Sequence, residues 1–473
     1  MKTNKLNFAL LTVFALGVLS GCERGLSEDA DFAKFPKNPN VFIDGFSGGL
    51  QYFPFAGSKL DAFTVDTQTK YSGSASMRLD VPNVGDPTGT YAGAIFPDMN
   101  GRNLTEFDAL TFWAKASQGA TINEIGFGND FGENRFMVTL NNMRISTTWT
   151  KYTIAIPDPS RLTAEKGMFW YAEGAENNNG YTIWIDELKY EKLGTVAQPR
   201  PAILNGEDRV QQSFIGASAT VTDLTQTFNL VSGVDQTVTV APAYFTFSTT
   251  NPDVARVNEM GVVSIVGTGT AKITATLNGV RAKGSLTIQS LGAFVPAPVP
   301  NRNPANVISV FSDAYTNIPV DFYNGFFAPF QTTLGGAGLV INGDNLIQYT
   351  NLNFVATEFK NPTVNASQMT HLHVDLQIRE AIDPGDFISV QLGDFGANAV
   401  FGGGDDSSGT VKFTSASLSS NQWISLDIPL ASFTGLTSRN NLAQIFFISA
   451  DGTSNNVPTI STILVDNMYF YKN

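Results

Sequence analysis

The sequence predicts an all-β chain built as three β-sandwiches in a row. Short segments alternate apolar and polar residues with period two, separated by Gly, Asn, Asp and Pro, and no long amphipathic helical run interrupts them. One ordered series of landmarks occurs twice, near the start and near the end. Two Pro-rich breaks, Pro199 to Pro201 and Pro296 to Pro304, leave folded pieces at 41–193, 207–290 and 306–473. At 473 residues, three domains also meet the usual size expectation.

The chain opens on Lys2 and Lys5, an apolar run from Phe8 to Leu19, and Leu19-Ser20-Gly21-Cys22, which contains its single cysteine. A basic start, a short apolar core and small residues before a cut site form a lipoprotein signal over residues 1–22, and the run is too short for a permanent span. Cys22 is the expected lipidation site, so the membrane is met through a lipid anchor only. Glu23, Glu28, Asp29 and Asp31 make residues 23–40 an acidic tether. That stretch resembles the surface-export signal of Bacteroidota lipoproteins, which implies an outer-membrane, cell-surface address.

Removing Lys2 and Lys5 leaves 27 basic against 42 acidic residues, taking the net charge from −13 to −15. Such a charge repels nucleic acid and anionic membranes, so neither is an expected partner. With no cysteine left after lipidation, stability must come from packing or metal rather than disulfides.

In the first piece, Phe42 to Phe46, then Gly73 to Leu79, answer Phe311 to Tyr315 and Gly343 to Tyr349 in the third. Leu110, Phe112, Ala114 and Ala116 alternate as Leu372, Val374, Leu376 and Ile378 do, and Trp149 matches Trp423. Both series close on a pair: Met168 to Gly174 with Ile183 to Leu188, and Phe446 to Gly452 with Ile463 to Met468. Two sheets of such strands make a sandwich with one buried face each. The middle piece, set off by linkers 194–206 and 291–305, has shorter, closer strands such as Gln236–Val240, Phe245–Ser248 and Val262–Ile265, as in a small Greek-key sandwich.

Candidate catalysts are few. His371 and His373 are the only histidines, and their spacing puts both on one strand face with Asp375. That face reads either as a solvated or sugar-facing polar strip with Gln377, or as a metal site lacking further ligands. No nucleophile elbow is present, no Glu-x-Asp-x-x-Glu motif of the β-glucanases occurs among the 42 acids, and no piece is long enough for a TIM barrel, so no enzyme is expected.

Aromatic residues are the stronger signal, because sugar rings stack their C–H faces on flat side chains. Alternation points Trp113 away from the core, making it the leading platform. Trp170 reads as core by comparison with Ile448, leaving its neighbour Tyr171 exposed. The face of Trp184 cannot be fixed, because alternation breaks near Asp186. Phe131 and Arg135 lie in a polar-aromatic loop of the first piece. Tyr323, Phe326 and Phe327 lie in an aromatic loop of the third that reads either as a platform or as a plug over a sheet edge.

On these residues both outer pieces resemble the jelly-roll type of carbohydrate-binding module. In that fold the first and last strands are neighbours, and an Asp on each often helps hold a structural calcium. The resemblance implies Ca2+ ligands at Asp44 and Asp186 with the carbonyl near Gly73, and at Asp313 and Asp466 with that near Gly343. These Asp residues otherwise read as caps of strand ends. Ser248 to Ala255 and Gly261 to Ala275 resemble the bacterial immunoglobulin-like group 2 domain, a spacer. The chain as a whole is similar to the surface glycan-binding lipoproteins, of SusE/SusF-like position, in Bacteroidota polysaccharide utilization loci. Val307 to Tyr315, Met369 to His373 and Val465 to Asn473 are similar to modules of secreted glucanases. This implies a polysaccharide ligand, a β-glucan such as laminarin, and a SusC/SusD-type transporter as partner. A surface adhesin or structural lipoprotein is the other reading, and a glycan-active enzyme a further one.

Overall fold

The computed structural model describes residues 34–450 and 459–472, so Cys22 and residues 1–33 lie outside the described residues. Among the described residues the regular elements are β-strands and single-turn 3-10 helices, arranged as sandwiches. The described residues divide into two compact units, 34–198 with 228–241, and 199–227 with 242–450 and 459–472.

In the first unit one sheet runs in the order Phe63–Asp66, Ser76–Val81, Tyr181–Glu191, Ala109–Ala116, Thr150–Ala155. The first strand, Asn40–Phe42, pairs with the last, Tyr181–Glu191, as the jelly-roll reading expects. The other sheet runs Phe53–Pro54, Ala92–Arg102, Glu165–Glu173, Ala120–Phe127, Val138–Ile145. Leu110, Phe112, Ala114 and Ala116 are buried, as their alternation requires. Phe112 meets Phe169 across the interior, and Phe96, Phe169 and Tyr171 stack beside them. Each ring buried here contributes about 1.5–3 kcal/mol.

Strand Asp235–Val240, which the sequence assigns to the middle piece, instead pairs with Val138–Ile145 and adds a strand to the second sheet. Alternation explains it. Val238 and Val240 are buried, while Gln236 donates through Nε2 to the Thr153 carbonyl at 2.6 Å and accepts from Ala155 N–H at 3.1 Å. An edge strand of the first sandwich is thereby covered, and its backbone groups are paired.

The second unit contains the rest of the middle piece and the third sandwich. Its middle part pairs Asp208–Ile215 in parallel with Ser285–Ala293, beside Gly269–Leu277 and Phe245–Thr249. The third sandwich repeats the first: one sheet of Leu334–Ile341, Asp344–Thr350, Ile463–Tyr471, His371–Ile378, Trp423–Pro429, and another of Phe354–Glu358, Leu442–Ile448, Phe387–Asp394, Ser407–Thr414. Val307–Phe311 again pairs with the last strand.

The Pro-rich run, a spacer by sequence, lies against the third sandwich. Its prolines lack N–H groups, so the run docks largely through its carbonyls, while the Arg302 N–H donates to the Tyr315 hydroxyl at 2.9 Å. Trp423 Nε1 donates to the Val295 carbonyl at 2.7 Å and Asn467 Nδ2 to that of Pro298 at 3.1 Å, while the Arg302 guanidinium lies 3.5 Å from the Tyr471 ring centre. This docking overturns the solvated strip expected at His373. His373 is 8% exposed, Asp375 and Gln377 are buried, and the His373 ring stacks on Tyr469 at 4.7 Å. Burial works against charging His373, but its hydrogen bonds with Asp375 and Asp427 outweigh burial and raise its pKa. His371 is likewise engaged, stacked on Tyr471 and bonded to Thr370.

Candidate glycan-binding trough

Two side-chain rows cross the outer face of the first unit's second sheet, and the strand register fixes them. Phe53, Ile95, Trp170, Gly126 and Thr139 stand opposite one another in sequence across the strands. In the neighbouring row stand Gly93, Ala172, Glu124 and Asn141. Phe55, whose N–H bonds the Gly93 carbonyl, covers the end of that row. Glycine at this position leaves the room that the Tyr91 and Phe55 rings occupy. A Cβ on Gly93 would stand 2.7 Å from the Tyr91 ring and 3.0 Å from Phe55.

The trough deepens at Tyr91 into a pocket of about 480 Å³ lined by Asn123, Glu124, Asn141, Asn142, Ala172 and Glu173. Tyr91 is fixed by its own hydroxyl, which donates to the Ala56 carbonyl at 3.1 Å. Glu173 accepts from the Tyr181 hydroxyl at 2.9 Å, and burial raises its pKa. One aromatic face beside a set of amides and a carboxylate suits a sugar: the face takes C–H groups and the polar rim takes hydroxyls. Trp170 adds a second signal, since its indole N–H is buried without a protein partner.

The residues that sequence alone offers as glycan contacts fare unevenly against this geometry. Trp170 is buried, 3% exposed, as expected, yet it belongs to the outer face, and its edge meets Phe55. Tyr171, expected to be exposed, is 1% exposed and packs inside the sandwich. The inversion has a physical cause: this strand carries apolar residues on both faces, so alternation cannot tell core from trough.

Trp113 does point outward, on the opposite sheet, but Tyr71 stacks on it at 3.9 Å and 11°, with Trp149 against the edge of Tyr71. A covered ring is a poor platform, and the leading candidate is displaced. Trp184 lies on that same outward face, its Nε1 donating to Asp66 at 2.8 Å and Lys115 over its ring. Phe131 is exposed and meets Phe53 edge-on at 4.6 Å, so it joins the end of the trough. Arg135 is exposed beside Phe136. In the third sandwich Tyr323 is half-buried against the core, whereas Phe326 and Phe327 stay exposed.

Tyr91, Phe55, Asn123, Glu124 and Asn141 do not stand out in the sequence. Lone glycines inside strands, Gly93 and Gly126, are the one local signal of a close approach above the sheet.

Among the described residues no three His, Cys, Asp or Glu side chains converge closely enough to hold an ion alone. In the first sandwich the expected calcium pair is turned onto nitrogen. Asp44 accepts from the Ser74 and Ala75 N–H groups, and Asp186 from those of Tyr71, Ser72 and Glu187. A Cβ at Gly73 would collide with the Asp44 carboxylate. These two residues hold a turn, and the set does not fit a cation. In the third sandwich Asp313 is turned onto nitrogen in the same way, accepting from the Asn345 N–H and Nδ2 at 2.9 Å each, and Asp466 accepts from the Asn467 N–H at 2.6 Å, but Asp344 adds a third carboxylate. Asp313, Asp344 and Asp466 line one pocket of about 180 Å³ beneath Pro296 to Pro300. Asp344 Oδ2 is buried without a partner, and burial with the charges of Asp344, Asp375 and Asp313 pushes Asp466 up to about 7. Gly343, with φ of 90°, makes the turn before Asp344. Of the three only Asp344 has a buried oxygen without a partner, so a hard cation here would rest on Asp344 and on backbone carbonyls rather than on a converged carboxylate set.

Glu165 is a second buried acid, at the far end of the trough strand. Burial, opposed by the Gly167 N–H bond and reinforced by Asp130, pushes it up to about 7. Its folded pKa exceeds the unfolded one, so its protonated form favours folding at low pH and stability falls as pH rises from about 4.5 to about 7. Glu165→Gln keeps the acceptor used by Lys166 and Gly167 and removes the charge. It is expected to raise stability at pH 8 by on the order of 1–3 kcal/mol and to leave it unchanged at pH 4. Urea unfolding at the two pH values reads this directly, and equal curves for both proteins at pH 8 would refute it.

The fold is a set of β-sandwiches, the first of which carries an aromatic and polar trough across the outer face of one sheet. Residues 43–192 match the family model of carbohydrate binding domain 30. Among solved structures the chain is similar to the family 30 carbohydrate-binding module of a cellulosomal cellulase of Clostridium thermocellum, at 19% identity over 34% of this chain and 95% of that one, TM-score 0.22. It is also similar to a family 11 module of another cellulosomal cellulase of that organism, at 14% identity over 33% and 97%, TM-score 0.22. A third is SGBP-B from a complex xyloglucan utilization locus in Bacteroides uniformis, at 10% identity over 87% and 98%, TM-score 0.19. No curated protein matches the chain.

Proposed function

We propose that this chain is a non-catalytic lipoprotein that captures polysaccharide at the bacterial surface. The observation that carries this reading is the trough of Tyr91, Phe55 and Trp170 with its Asn and Glu rim, which lies inside the segment matching a carbohydrate-binding family. The preferred ligand is a neutral β-glucan such as laminarin, handed to a SusC/SusD-type transporter. Cys22 supplies the anchor at the outer membrane. The test is electrophoresis of the lipid-free chain, from Glu23 onward, through native gels containing laminarin, mixed-linkage glucan, xylan, mannan or alginate. Retardation by a neutral glucan is expected; unchanged mobility in every gel would sink the reading.

A structural calcium in the third sandwich belongs to the same proposal, centred on the unpartnered Asp344 carboxylate beside Asp466 and completed by backbone carbonyls. Calcium at about 100 times its Kd is expected to stabilise the metal-free chain by about 2.7 kcal/mol. Asp344→Asn should abolish that gain while raising the metal-free Tm, because it removes an unbalanced charge. A wild-type melting curve indifferent to calcium would exclude the site.

A further inference from the structure

We propose that the third sandwich carries a second glycan site, a trough between Phe327 and Phe401 shaped for a neutral chain. This rests on the reading of the protein as a polysaccharide binder. The family match ends before this part of the chain, and the first sandwich's floor is not reproduced here, since Ile448 stands where Trp170 does.

The register again sets the floor. Ala356, Phe446, Gln391 and Thr410 face one another across the four strands of the second sheet, with Gln444, Gly393 and Ser408 in the next row. One wall is the aromatic loop. Phe327 lies parallel to Phe446 at 6.1 Å and to Phe354 at 6.4 Å, which resolves the loop as a wall on the sheet's outer face. It is braced from within. Buried Gln331 donates to Asn324 Oδ1 at 2.6 Å and accepts from the Phe327 N–H at 3.1 Å, and Asn324 donates to the Gly335 carbonyl. The opposite wall is Phe401, 72% exposed, resting on Phe395 at 5.5 Å. Its loop is held by Asp405, which accepts from the Ala397 and Asn398 N–H groups, and by Asp406, which accepts from Gly402 N–H at 2.7 Å. Rings this exposed on loops this well tied are pre-organised for a ligand that covers them.

The space at the Phe401 side is about 230 Å³ and is lined by Gln391, Gln444, Asp406, Ser408, Phe401 and Phe446 among others. Asp406 Oδ1 is buried there without a partner. Gln444 Nε2 is already committed to Glu358, and Gln391 Oε1 to Thr410, so the floor offers a Gln391 amide donor beside the acceptors of Gln444 and Asp406. Donors and acceptors set side by side match hydroxyls, which are both. The lining holds the carboxylates of Asp394 and Asp406 and no cation, which turns away uronic and sulfated chains and leaves neutral glycans.

Calorimetric titration of the full lipid-free chain with a panel of neutral hexasaccharides, β-1,3- and mixed-linkage glucans included, decides the matter. Two sites per chain are expected. Phe401→Ala/Gln391→Ala should remove one, through a loss of about tenfold or more in that site's affinity, and should leave the chain folded, as melting curves check, because Phe401 is exposed and Gln391 gives up only its bond from Thr410 at the surface. Tyr91→Ala/Asn141→Ala should remove the other. One site in the wild type, lost with the Tyr91 variant and indifferent to the Phe401 variant, overturns the second site and leaves the function standing. No heat with any neutral glycan overturns both.

Discussion

Replacing Arg102 by Met is expected to destabilise the first sandwich by about 3–5 kcal/mol, a large share of what a domain of this size has to lose. Arg102 is 1% exposed. Its Nε donates to Asp98 at 2.8 Å, Nη1 to the Asn38 and Asn40 carbonyls, and Nη2 to Ser47 Oγ at 2.8 Å. The methionine fills similar volume but strands the Asp98 carboxylate, which retains only the Asn100 N–H at 3.1 Å. It also releases two carbonyls and so unpins the segment entering the sandwich. Gly49, at φ of 96°, lies against the same carboxylate, where a Cβ would come within 2.9 Å. Adding Asp98→Asn should recover part of the loss, because the uncompensated charge rather than the missing contact dominates. Urea unfolding followed by tryptophan fluorescence measures both variants. A single-variant loss below about 1 kcal/mol would mean that the pair is replaceable by packing. The pinned segment leads directly to Phe53 and Phe55, so loosening it should also weaken glycan binding.

Much of this architecture is legible in the sequence because it depends on patterns that repeat. The two outer sandwiches can be paired from ordered landmarks, and Phe112 with Phe447 fall inside their cores. The bulges at Asp186 and Asp466 recur as well. Glu187 and Asn467 both take φ of 49°, and the strand register shifts beside each. What alternation cannot supply is which of two apolar faces is the core. Trp170, Ile95, Phe446 and Ile448 are apolar residues that face outward, and a sugar-binding trough is by nature a half-apolar surface outside the core. That is why alternation puts Tyr171 on the wrong side. Other differences are of partnership. Alternation orients Trp113 correctly, yet nothing local says that Tyr71 covers it. The polar strip at His373 carries no mark of the Pro-rich run that closes over it, because that contact joins residues far apart in sequence. Likewise Gln236–Val240 reads as a strand of the middle piece, and only its register against Val138–Ile145 shows which sheet it completes.

The displaced and the newly found aromatic residues give opposite expectations for one measurement. Tyr91→Ala, alone or with Asn141→Ala, should weaken glucan binding at the first trough by about tenfold for the lost stacking face, and by up to about a hundredfold when the amide goes with it. Tyr91 is half-buried, with one edge against Gly93 and its hydroxyl tied to Ala56, so the ring is held in place before the sugar arrives and little ordering is charged to binding. Trp113→Ala should leave affinity within about twofold. Its outer face is already occupied by Tyr71, and removing it costs packing between two side chains on the sheet that faces away from the trough. Asn141 also bonds Thr239 on the added strand at 3.2 Å, which ties the rim of the trough to Asp235–Val240. Thr239→Pro, which cannot pair with Thr139, should therefore reduce affinity without touching any sugar contact. Retardation in glucan gels, with melting curves as the control for folding, separates these cases. If Trp113→Ala abolishes retardation while Tyr91→Ala preserves it, the ligand lies on the other sheet and the trough described above is not the site.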